Sequence, residues 1–354
     1  MKRVIQLVLL TVAVALPLAG QTVTGLKLSG YAEASYVSSN HAAGDVIVGR
    51  LYDRFNDQFM LNALSLTIDK PFDPTRRSTG VHAEVLFGQN ATFIQSFGFN
   101  LGAQGDVPQL YVTFNLPTAN KHGVQFKVGR MATLMGLEAL ETTVNPNWSE
   151  GNQFVYAENV TGLGLSIETR FNDKLDAQLR VMNGWDQVRE INNGKSFMAR
   201  VGIAPDTRTS VAVVGFIGPE LAGNTSLKRS GIEVLVSRKL GKTSLSVQGD
   251  LGNEDPTFSW SALGIWVTQD LSRDIGLSLR GDYLNDQDGA RTSGANGFAP
   301  NAGNELSSLT ATLNIRSWPS ALIRPEVRYD HSNLLAFDGN RSQISVALSV
   351  AYLF

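Results

Sequence analysis

The chain has 354 residues, of which 30 are lysine or arginine and 32 are aspartate or glutamate, giving a formal net charge of −2. This near balance argues against a dedicated nucleic-acid-binding protein, which would be visibly basic. The sequence contains no cysteine, which excludes a disulfide framework, a cysteine-ligated zinc and a cysteine nucleophile.

The first twenty residues are predicted to form a secretory signal peptide. Lys2 and Arg3 give a basic start, residues 4–16 are almost wholly apolar, and the small residues Ala19 and Gly20 precede a cleavage point. The apolar run is shorter than the ~20 residues that a membrane-spanning helix needs, which argues against a helical anchor. We therefore expect a cleaved signal peptide, residues 1–20, followed by one β-barrel, residues 21–354.

Apolar and polar residues alternate along sixteen segments of the remaining chain. In the last segment, for example, Ile344, Val346 and Leu348 are separated by small or polar residues. A period of two is typical of strands with one apolar and one polar face. The sixteen predicted strands are 24–39, 57–69, 79–89, 107–117, 122–134, 153–171, 174–185, 195–205, 208–217, 228–239, 242–252, 258–270, 273–285, 304–317, 321–331 and 342–354.

The fifteen connections between these segments alternate in length. Seven are short or marked by proline: 71–74, 117–120, 172–173, 206–207, 240–241, 272–273 and 319–320. Seven of the other eight are clearly longer and richer in glycine, asparagine and aspartate. A sheet survives in lipid only by closing on itself, and outer-membrane barrels have short periplasmic turns and long external loops. The pattern predicts an all-β fold, a transmembrane antiparallel β-barrel of about 16 strands with short periplasmic turns and long extracellular loops.

The chain ends on Phe354, preceded by apolar residues at every second position, which resembles the C-terminal signal of bacterial outer-membrane barrels. Five longer stretches are LYDRFNDQF at 51–59, GRMAT at 129–133, NPNWSEG at 145–151, NGWD at 183–186 and RPEVRYD at 324–330. With these stretches the chain resembles the OmpL-like β-barrel porin family of Gram-negative bacteria, from about residue 25 to 354. The resemblance implies an outer-membrane pore and brings no catalytic residues.

Strand parity predicts which charged side chains line the lumen of such a pore. The basic ones are Lys27, Lys127, Arg170, Arg180, Arg200, Arg280, Arg316, Arg324 and Arg328. The acidic ones are Glu33, Glu84, Glu168, Glu233, Asp250, Asp282, Glu326 and Asp330. Nine bases against eight acids predict no strong ion selectivity. The alternative for each residue is pairing inside the barrel wall.

The third long connection, residues 136–152, carries Glu138, Glu141 and Glu150 around Trp148. In general porins the third external loop folds inward and narrows the pore. By that analogy, these four residues are predicted to form an acidic constriction facing basic wall residues. The alternative is a solvated outer loop.

The second long connection, residues 89–105, is unusually apolar for an external loop. It carries Phe93, Ile94, Phe97 and Phe99. Exposed apolar patches usually mark contacts, so these residues are predicted to reach a neighbouring subunit, as in a homotrimer. The alternative is that the loop plugs the mouth of its own barrel.

The favoured function is an outer-membrane porin, with membrane lipid around it and small hydrophilic solutes or ions diffusing through its water-filled lumen. We expect no cofactor, no metal site and no nucleic-acid partner, since the four histidines lack metal-ligand spacing. One alternative is a barrel enzyme, a lipase or protease, in which His82 or His331 would be the base. Another is a secreted, soluble β-rich binding protein. The sequence favours a protein that is not an enzyme, located in the outer membrane of a Gram-negative bacterium.

Overall fold

The computed structural model describes residues 25–95, 102, 104–119, 121–255 and 257–354, so the predicted signal peptide lies outside the described residues. Sixteen strands are found in these ranges. They are β1 (Lys27–Ser39), β2 (Gln58–Lys70), β3 (Ser78–Phe87), β4 (Gly105–Leu116), β5 (Val124–Ala132), β6 (Thr161–Asn172), β7 (Leu175–Met182), β8 (Ser196–Asp206), β9 (Thr209–Gly218), β10 (Arg229–Leu240), β11 (Thr243–Glu254), β12 (Phe258–Asp270), β13 (Ile275–Asp286), β14 (Asn304–Ile315), β15 (Ala321–Ser332) and β16 (Ser342–Leu353). One helix, α1 (Gln89–Phe93), follows β3.

Every strand pairs with the next one in the chain, and β1 pairs with β16, which closes the barrel. All of these pairings are antiparallel, from the β1–β2 pair to the β15–β16 pair. This confirms the predicted antiparallel barrel of sixteen strands. Closure leaves no sheet edge, so each strand finds its backbone hydrogen bonds on both sides.

The strands carry apolar side chains outside and polar side chains inside, as β16 illustrates. Ile344, Val346 and Leu348 are exposed, whereas Ser345 and Ser349 are buried. A belt of exposed apolar side chains on a closed barrel suits contact with lipid. A soluble β-sandwich would instead bury its apolar faces between two sheets, and the described residues form one closed barrel with no second sheet. Among the described residues no helix has the length and apolar character required to cross a membrane.

Short turns and longer loops alternate around the barrel, except that the sixth loop, 255–257, is shorter than the turns at 71–77 and 117–123. The loops, numbered in chain order, are residues 40–57, 88–104, 133–160, 183–195, 219–228, 255–257, 287–303 and 333–341. One boundary differs from the sequence prediction, since the strand expected at 153–171 begins only at Thr161. Residues Gln153–Ala157 instead form one π-helical turn. Phe154 and Tyr156 alternate as in a strand, but both are buried inside the barrel.

The loop-side part of the barrel interior is filled by an apolar cluster that we term the mouth core. Its members are Val48, Leu134, Met135, Tyr156, Ala157, Met182, Trp185, Met198, Val214, Phe216, Trp260, Ala262, Leu284, Phe298, Leu306 and Phe337. They come from loops 1, 3, 4, 7 and 8 and from the loop-side ends of strands between β7 and β14. Loop residues therefore cover this side of the barrel mouth, and open space lies elsewhere in the lumen.

Candidate functional site

The third loop, residues 133–160, lies inside the barrel. Thr142 donates a hydrogen bond of 2.7 Å from Oγ1 to Glu33 on β1, and the Gly136 N–H reaches Glu233 on β10 at 3.0 Å. Strands on different sides of the barrel thus hold the same loop. The alternative of a solvated outer loop does not describe this segment.

Glu326 on β15 is the main acidic anchor of the third loop. Its carboxylate accepts hydrogen bonds from the backbone N–H groups of Trp148 at 2.8 Å and Ser149 at 3.2 Å. The Thr312 hydroxyl donates a third bond of 2.6 Å to the same group. The side chain is buried, so these charge-assisted bonds compensate its loss of water.

Arg280 on β13 is the basic counterpart of Glu326 and binds the third loop through the loop's negatively charged and carbonyl groups. Its guanidinium pairs with Glu138 of the loop at 2.6 Å and with Asp282 on its own strand at 3.1 Å. Arg280 also donates to the Ser149 carbonyl oxygen at 2.5 Å. A buried ion pair is costly to break because one charge then remains without a partner. Glu138 of the predicted acidic loop therefore contacts a basic wall residue directly, with no open space between the two side chains.

Arg324 and Arg328, both on β15, add two further buried attachments. Arg324 pairs with Glu33 at 2.5 Å and donates to the Thr142 carbonyl oxygen at 2.6 Å. Arg328 donates to the Glu150 carbonyl oxygen at 2.6 Å and pairs with Asp330 at 2.8 Å. Residues 142–150 of the third loop are therefore fixed to β15.

The first loop also enters the lumen through a residue that strand parity does not reveal. Arg50 pairs with Asp330 at 2.6 Å and with its loop neighbour Asp53. Both loop residues are buried. Sequence reasoning missed both, because Arg50 lies on a loop and Asp53 belongs to the stretch at 51–59, which carried only the family resemblance.

Glycine is required where the third loop passes between two buried carboxylates. Gly136 has φ +85°, and a Cβ atom there would lie 2.0 Å from Oε2 of Glu158. On its other side the Gly136 N–H donates to Glu233. A larger residue would collide with Glu158 and would also strain the backbone.

Burial divides the seventeen predicted lumen charges into two groups. Eleven are buried, namely Glu33, Glu84, Arg180, Glu233, Asp250, Arg280, Asp282, Arg324, Glu326, Arg328 and Asp330. The other six are half-buried or exposed, namely Lys27, Lys127, Glu168, Arg170, Arg200 and Arg316. Arg316 lies just beyond β14, and the other sixteen lie on strands. Six of the buried residues pair inside the wall, namely Glu33 with Arg324, Arg280 with Asp282 and Arg328 with Asp330, while Glu84 and Arg180 border cavities.

Three cavities follow one another on the side of the lumen that the third loop leaves open. The upper cavity, about 300 Å³, is bordered by Glu84, Glu138 and Glu141. The basic chamber, also about 300 Å³, is bordered by Tyr111, Lys127, Glu168, Arg180 and Arg200 and shares Gln109, Ala132 and Thr133 with the upper cavity. The lower cavity, about 490 Å³, lies at the turn-side ends of β8–β11 and includes Arg208, Arg238 and Lys239.

The charges of the basic chamber are unevenly paired. Lys127 pairs with Glu168 at 2.7 Å and lies 5.2 Å from the centre of the Tyr111 ring. Arg200 pairs with Asp176 on the neighbouring strand. Arg180 is 3.9 Å from Glu168 and donates to the Ala132 carbonyl oxygen, while its buried Nε has no hydrogen-bond partner. Asp176 and Arg180 lie on the same inward-facing side of β7, so strand parity could have identified Asp176 as a lumen residue.

The predicted constriction residues occupy different environments. Glu138 and Glu141 border the upper cavity, and Glu141 accepts a hydrogen bond of 2.6 Å from Thr143. Trp148 is buried against Val37 and Ile47, away from the cavities. Glu150 is buried as well and accepts from Asn145 at 3.3 Å. The structure therefore brings two of the four residues to open space.

The second loop packs on its own barrel in the part that the structure describes. Ile94 is buried in a cluster with Tyr31 and Tyr52, and Phe93 packs against that cluster. The Arg54 guanidinium lies 5.1 Å from the centre of the Phe93 ring. For these two residues the packing matches the alternative of a loop that plugs its own mouth. Phe97 and Phe99 lie outside the described residues.

Among the described residues there is no metal cluster, and the candidate base His82 lacks one partner of a catalytic triad. No group of three histidine, cysteine, aspartate or glutamate residues among them is placed to hold a metal ion. His82 has a carboxylate partner, with Nδ1 2.7 Å from Asp69, and its ring stacks on Tyr111. Its Nε2 has no hydrogen-bond partner, so the nucleophile hydroxyl that a triad requires is missing at this histidine.

Comparison with known proteins agrees with this architecture. The family model described as "Putative beta-barrel porin-2, OmpL-like" matches residues 25–354. No curated protein matches the chain.

Solved structures with a similar fold include three outer-membrane proteins. The outer membrane channel DcaP of Acinetobacter baumannii is 13% identical over 93% of this chain and 97% of its own, with a TM-score of 0.60. The anion-selective porin from Comamonas acidovorans is 9% identical over 93% and 99%, with a TM-score of 0.65. The trimer form of OmpT, an outer membrane protein of Vibrio cholerae, is 9% identical over 93% and 99%, with a TM-score of 0.56. At these identities the similarity shows the fold, and the family match over residues 25–354 shows that the chain belongs to the OmpL-like β-barrel porin family and is an outer-membrane porin.

Proposed function

We propose that the protein lets small hydrophilic solutes and ions diffuse passively through the part of the lumen that the third loop leaves open. The observation that carries this proposal is the succession of three cavities inside a closed barrel whose outer surface is apolar. Polar walls let a hydrated solute keep hydrogen-bond partners as it crosses the membrane.

The third loop is proposed to set the width of this route as a fixed wall. It is attached to the barrel by Glu326, Arg280 and Arg324, all of them buried. Of its four predicted constriction residues, Glu138 and Glu141 border the route, and Glu138 is neutralised by Arg280. A fixed loop predicts a steady current with little gating.

Conductance in a planar lipid bilayer tests this function. Purified barrel should produce discrete current steps in potassium chloride, and liposomes containing it should swell faster in small sugars than in larger ones. The matched control is the same protein after heat denaturation, which migrates differently on gels when a barrel unfolds. Absence of both current and swelling from correctly folded barrel would contradict the proposal.

A homotrimer and removal of residues 1–20 during export are further parts of the proposal. The trimer is supported by the shared fold of the OmpT trimer form. Of the apolar residues of the second loop, Phe97 and Phe99 remain candidates for the subunit contact, since Phe93 and Ile94 pack on their own barrel. Sedimentation of the detergent-solubilised protein tests it, and a strictly monomeric species with an intact second loop would contradict it. N-terminal sequencing of the mature protein tests the cleavage, and a chain that still begins at Met1 would contradict that part.

A further inference from the structure

More of the predicted acidic lumen residues than of the basic ones are buried. Of the eight predicted lumen acids, only Glu168 is not buried, whereas five of the nine predicted bases stay half-buried or exposed. Those five are Lys27, Lys127, Arg170, Arg200 and Arg316. Other strand acids also stay accessible, among them Asp69, Asp176 and Glu254, and these three have basic partners in His82, Arg200 and Arg229. Among the seventeen predicted lumen charges, those that stay accessible are therefore mainly basic.

The excess positive charge is concentrated in the basic chamber. Lys127, Arg180 and Arg200 meet two carboxylates there, Glu168 and Asp176. Glu168 lies 2.7 Å from Lys127 and 3.9 Å from Arg180, so it pairs mainly with Lys127. Arg180 is left without a close carboxylate of its own.

Arg180 is an independent sign of a binding site. Its relative exposure is 5%, it borders the cavity, and its Nε has no hydrogen-bond partner. A buried guanidinium with unused donors is costly unless a ligand or solvent satisfies it. Carboxylates are suitable ligands, because guanidinium groups bind them through two parallel hydrogen bonds.

The chamber also has an apolar side. The lining is mainly polar, and the ring of Tyr111 supplies its accessible apolar surface, since Met131 and Leu134 are almost fully buried. The volume of about 300 Å³ is at the lower end of the range of small-molecule sites. An ion such as chloride would leave this apolar surface unused, whereas a small organic acid would cover it.

We propose that the basic chamber binds small organic carboxylate anions in transit and gives the pore its selectivity for them. Arg180 and Arg200 hold the carboxylate, Lys127 adds a positive charge, and the carbon part of the solute packs against the ring of Tyr111. The inference rests on the proposed porin function and specifies its substrate class.

The lower cavity continues the positive lining toward the turn side. It is bordered by Lys174, Arg208, Arg238 and Lys239, against Asp173 and Asp206. A cleft lined mainly by one sign of charge raises the local concentration of the opposite ion. Anions that leave the basic chamber therefore meet a second surface that attracts them, whereas cations are repelled there.

Bilayer recordings with two matched solutes test the proposal. The reversal potential in a potassium chloride gradient measures the anion preference, and block of the current by added benzoate measures binding. Benzylamine, which is positively charged and similar in shape, is the control solute. Arg180→Gln and Arg200→Gln are the test variants, and Arg189→Gln is the control, since Arg189 is exposed on the fourth loop and outside the three cavities.

The wild-type channel should prefer chloride over potassium and should be blocked by benzoate but not by benzylamine. Arg180→Gln and Arg200→Gln should each weaken the benzoate block at least tenfold and shift the reversal potential toward zero, with Arg189→Gln unchanged. Heat-modifiable gel migration confirms that each variant is folded.

Three results would overturn the inference, and they differ in what else they affect. A conducting wild type that prefers potassium or ignores benzoate refutes the carboxylate site and leaves the porin function intact. Equal block by benzoate in wild type and both chamber variants places the binding elsewhere. A folded wild-type barrel without any conductance refutes the porin function itself.

Discussion

Replacing Glu326 with alanine should release the middle of the third loop from the barrel wall. The carboxylate accepts two backbone hydrogen bonds, from Trp148 at 2.8 Å and from Ser149 at 3.2 Å, in a buried position. Without it, each N–H loses its partner, which costs about 1–3 kcal/mol per group. A combined loss of about 4 kcal/mol corresponds to roughly a thousandfold larger population of the detached loop.

Hydrogen exchange of the amides at 148 and 149 measures this population directly, because local opening controls their exchange. We expect protection there to fall by about two to three orders of magnitude in Glu326→Ala. Glu326→Gln should show a smaller loss, since the amide keeps one acceptor oxygen. The bilayer current of the alanine variant should become larger and noisier as the loop leaves its fixed position.

Glu305→Ala is the matched control, because Glu305 lies on the neighbouring strand β14 and its carboxylate accepts from Gln287 of the seventh loop. Exchange at 148 and 149 should not change in this variant. Unchanged protection and unchanged current in a folded Glu326→Ala barrel would refute the conclusion that this carboxylate holds the third loop.

Three other substitutions test separate parts of the structure by unfolding in urea, followed by heat-modifiable gel migration. Arg280→Ala should destabilise the barrel by about 3–5 kcal/mol, because it leaves the buried Glu138 carboxylate without its partner, and an unchanged midpoint would contradict this. Leu309→Arg should cost about 2–4 kcal/mol in lipid, since Leu309 is 65% exposed at the middle of β14, and a neutral effect would contradict the lipid-facing assignment. The hydrogen bond and charge of Lys121 lower the pKa of Asp173 in a turn. Asp173→Asn should therefore lower stability at pH 7, and the difference from wild type should vanish as the pH falls through the lowered pKa; a difference that persists in acid would contradict this.

The barrel itself was predictable because lipid imposes a simple rule on every strand. Ile344, Val346 and Leu348 alternate with small or polar residues, and the structure exposes them. The start of β6 was predicted too early because Phe154 and Tyr156 follow the same rhythm while packing inside the barrel. Alternation records which residues are apolar, but it does not distinguish a lipid-facing strand from a loop segment packed in the interior.

Strand parity could not predict which inward-facing charged residues are buried and which border a cavity. Parity places Glu326 and Lys127 on inward-facing positions alike, yet one is buried under the third loop and the other borders a cavity. What covers an inward residue depends on contacts between residues far apart in the chain, such as Glu326 with Trp148. Arg50 and Asp330 illustrate the same difficulty, since 280 positions separate them in sequence.

The composition of the third loop explains why burial falls mainly on the acidic side of the lumen. Residues 133–160 contain no lysine or arginine, so the loop offers neutral donors: backbone N–H groups, hydroxyls and side-chain amides. Wall carboxylates accept from these donors, as Glu33 does from Thr142 and Asp282 does from Asn152. Wall bases can bind only the loop's carbonyl oxygens and carboxylates, which occupy Arg280, Arg324 and Arg328. Lys127 and Arg200 on the other wall pair instead with the wall carboxylates Glu168 and Asp176. A loop without positive charge thus binds many acids of a nearly balanced wall, and basic residues prevail among the predicted lumen charges that stay accessible.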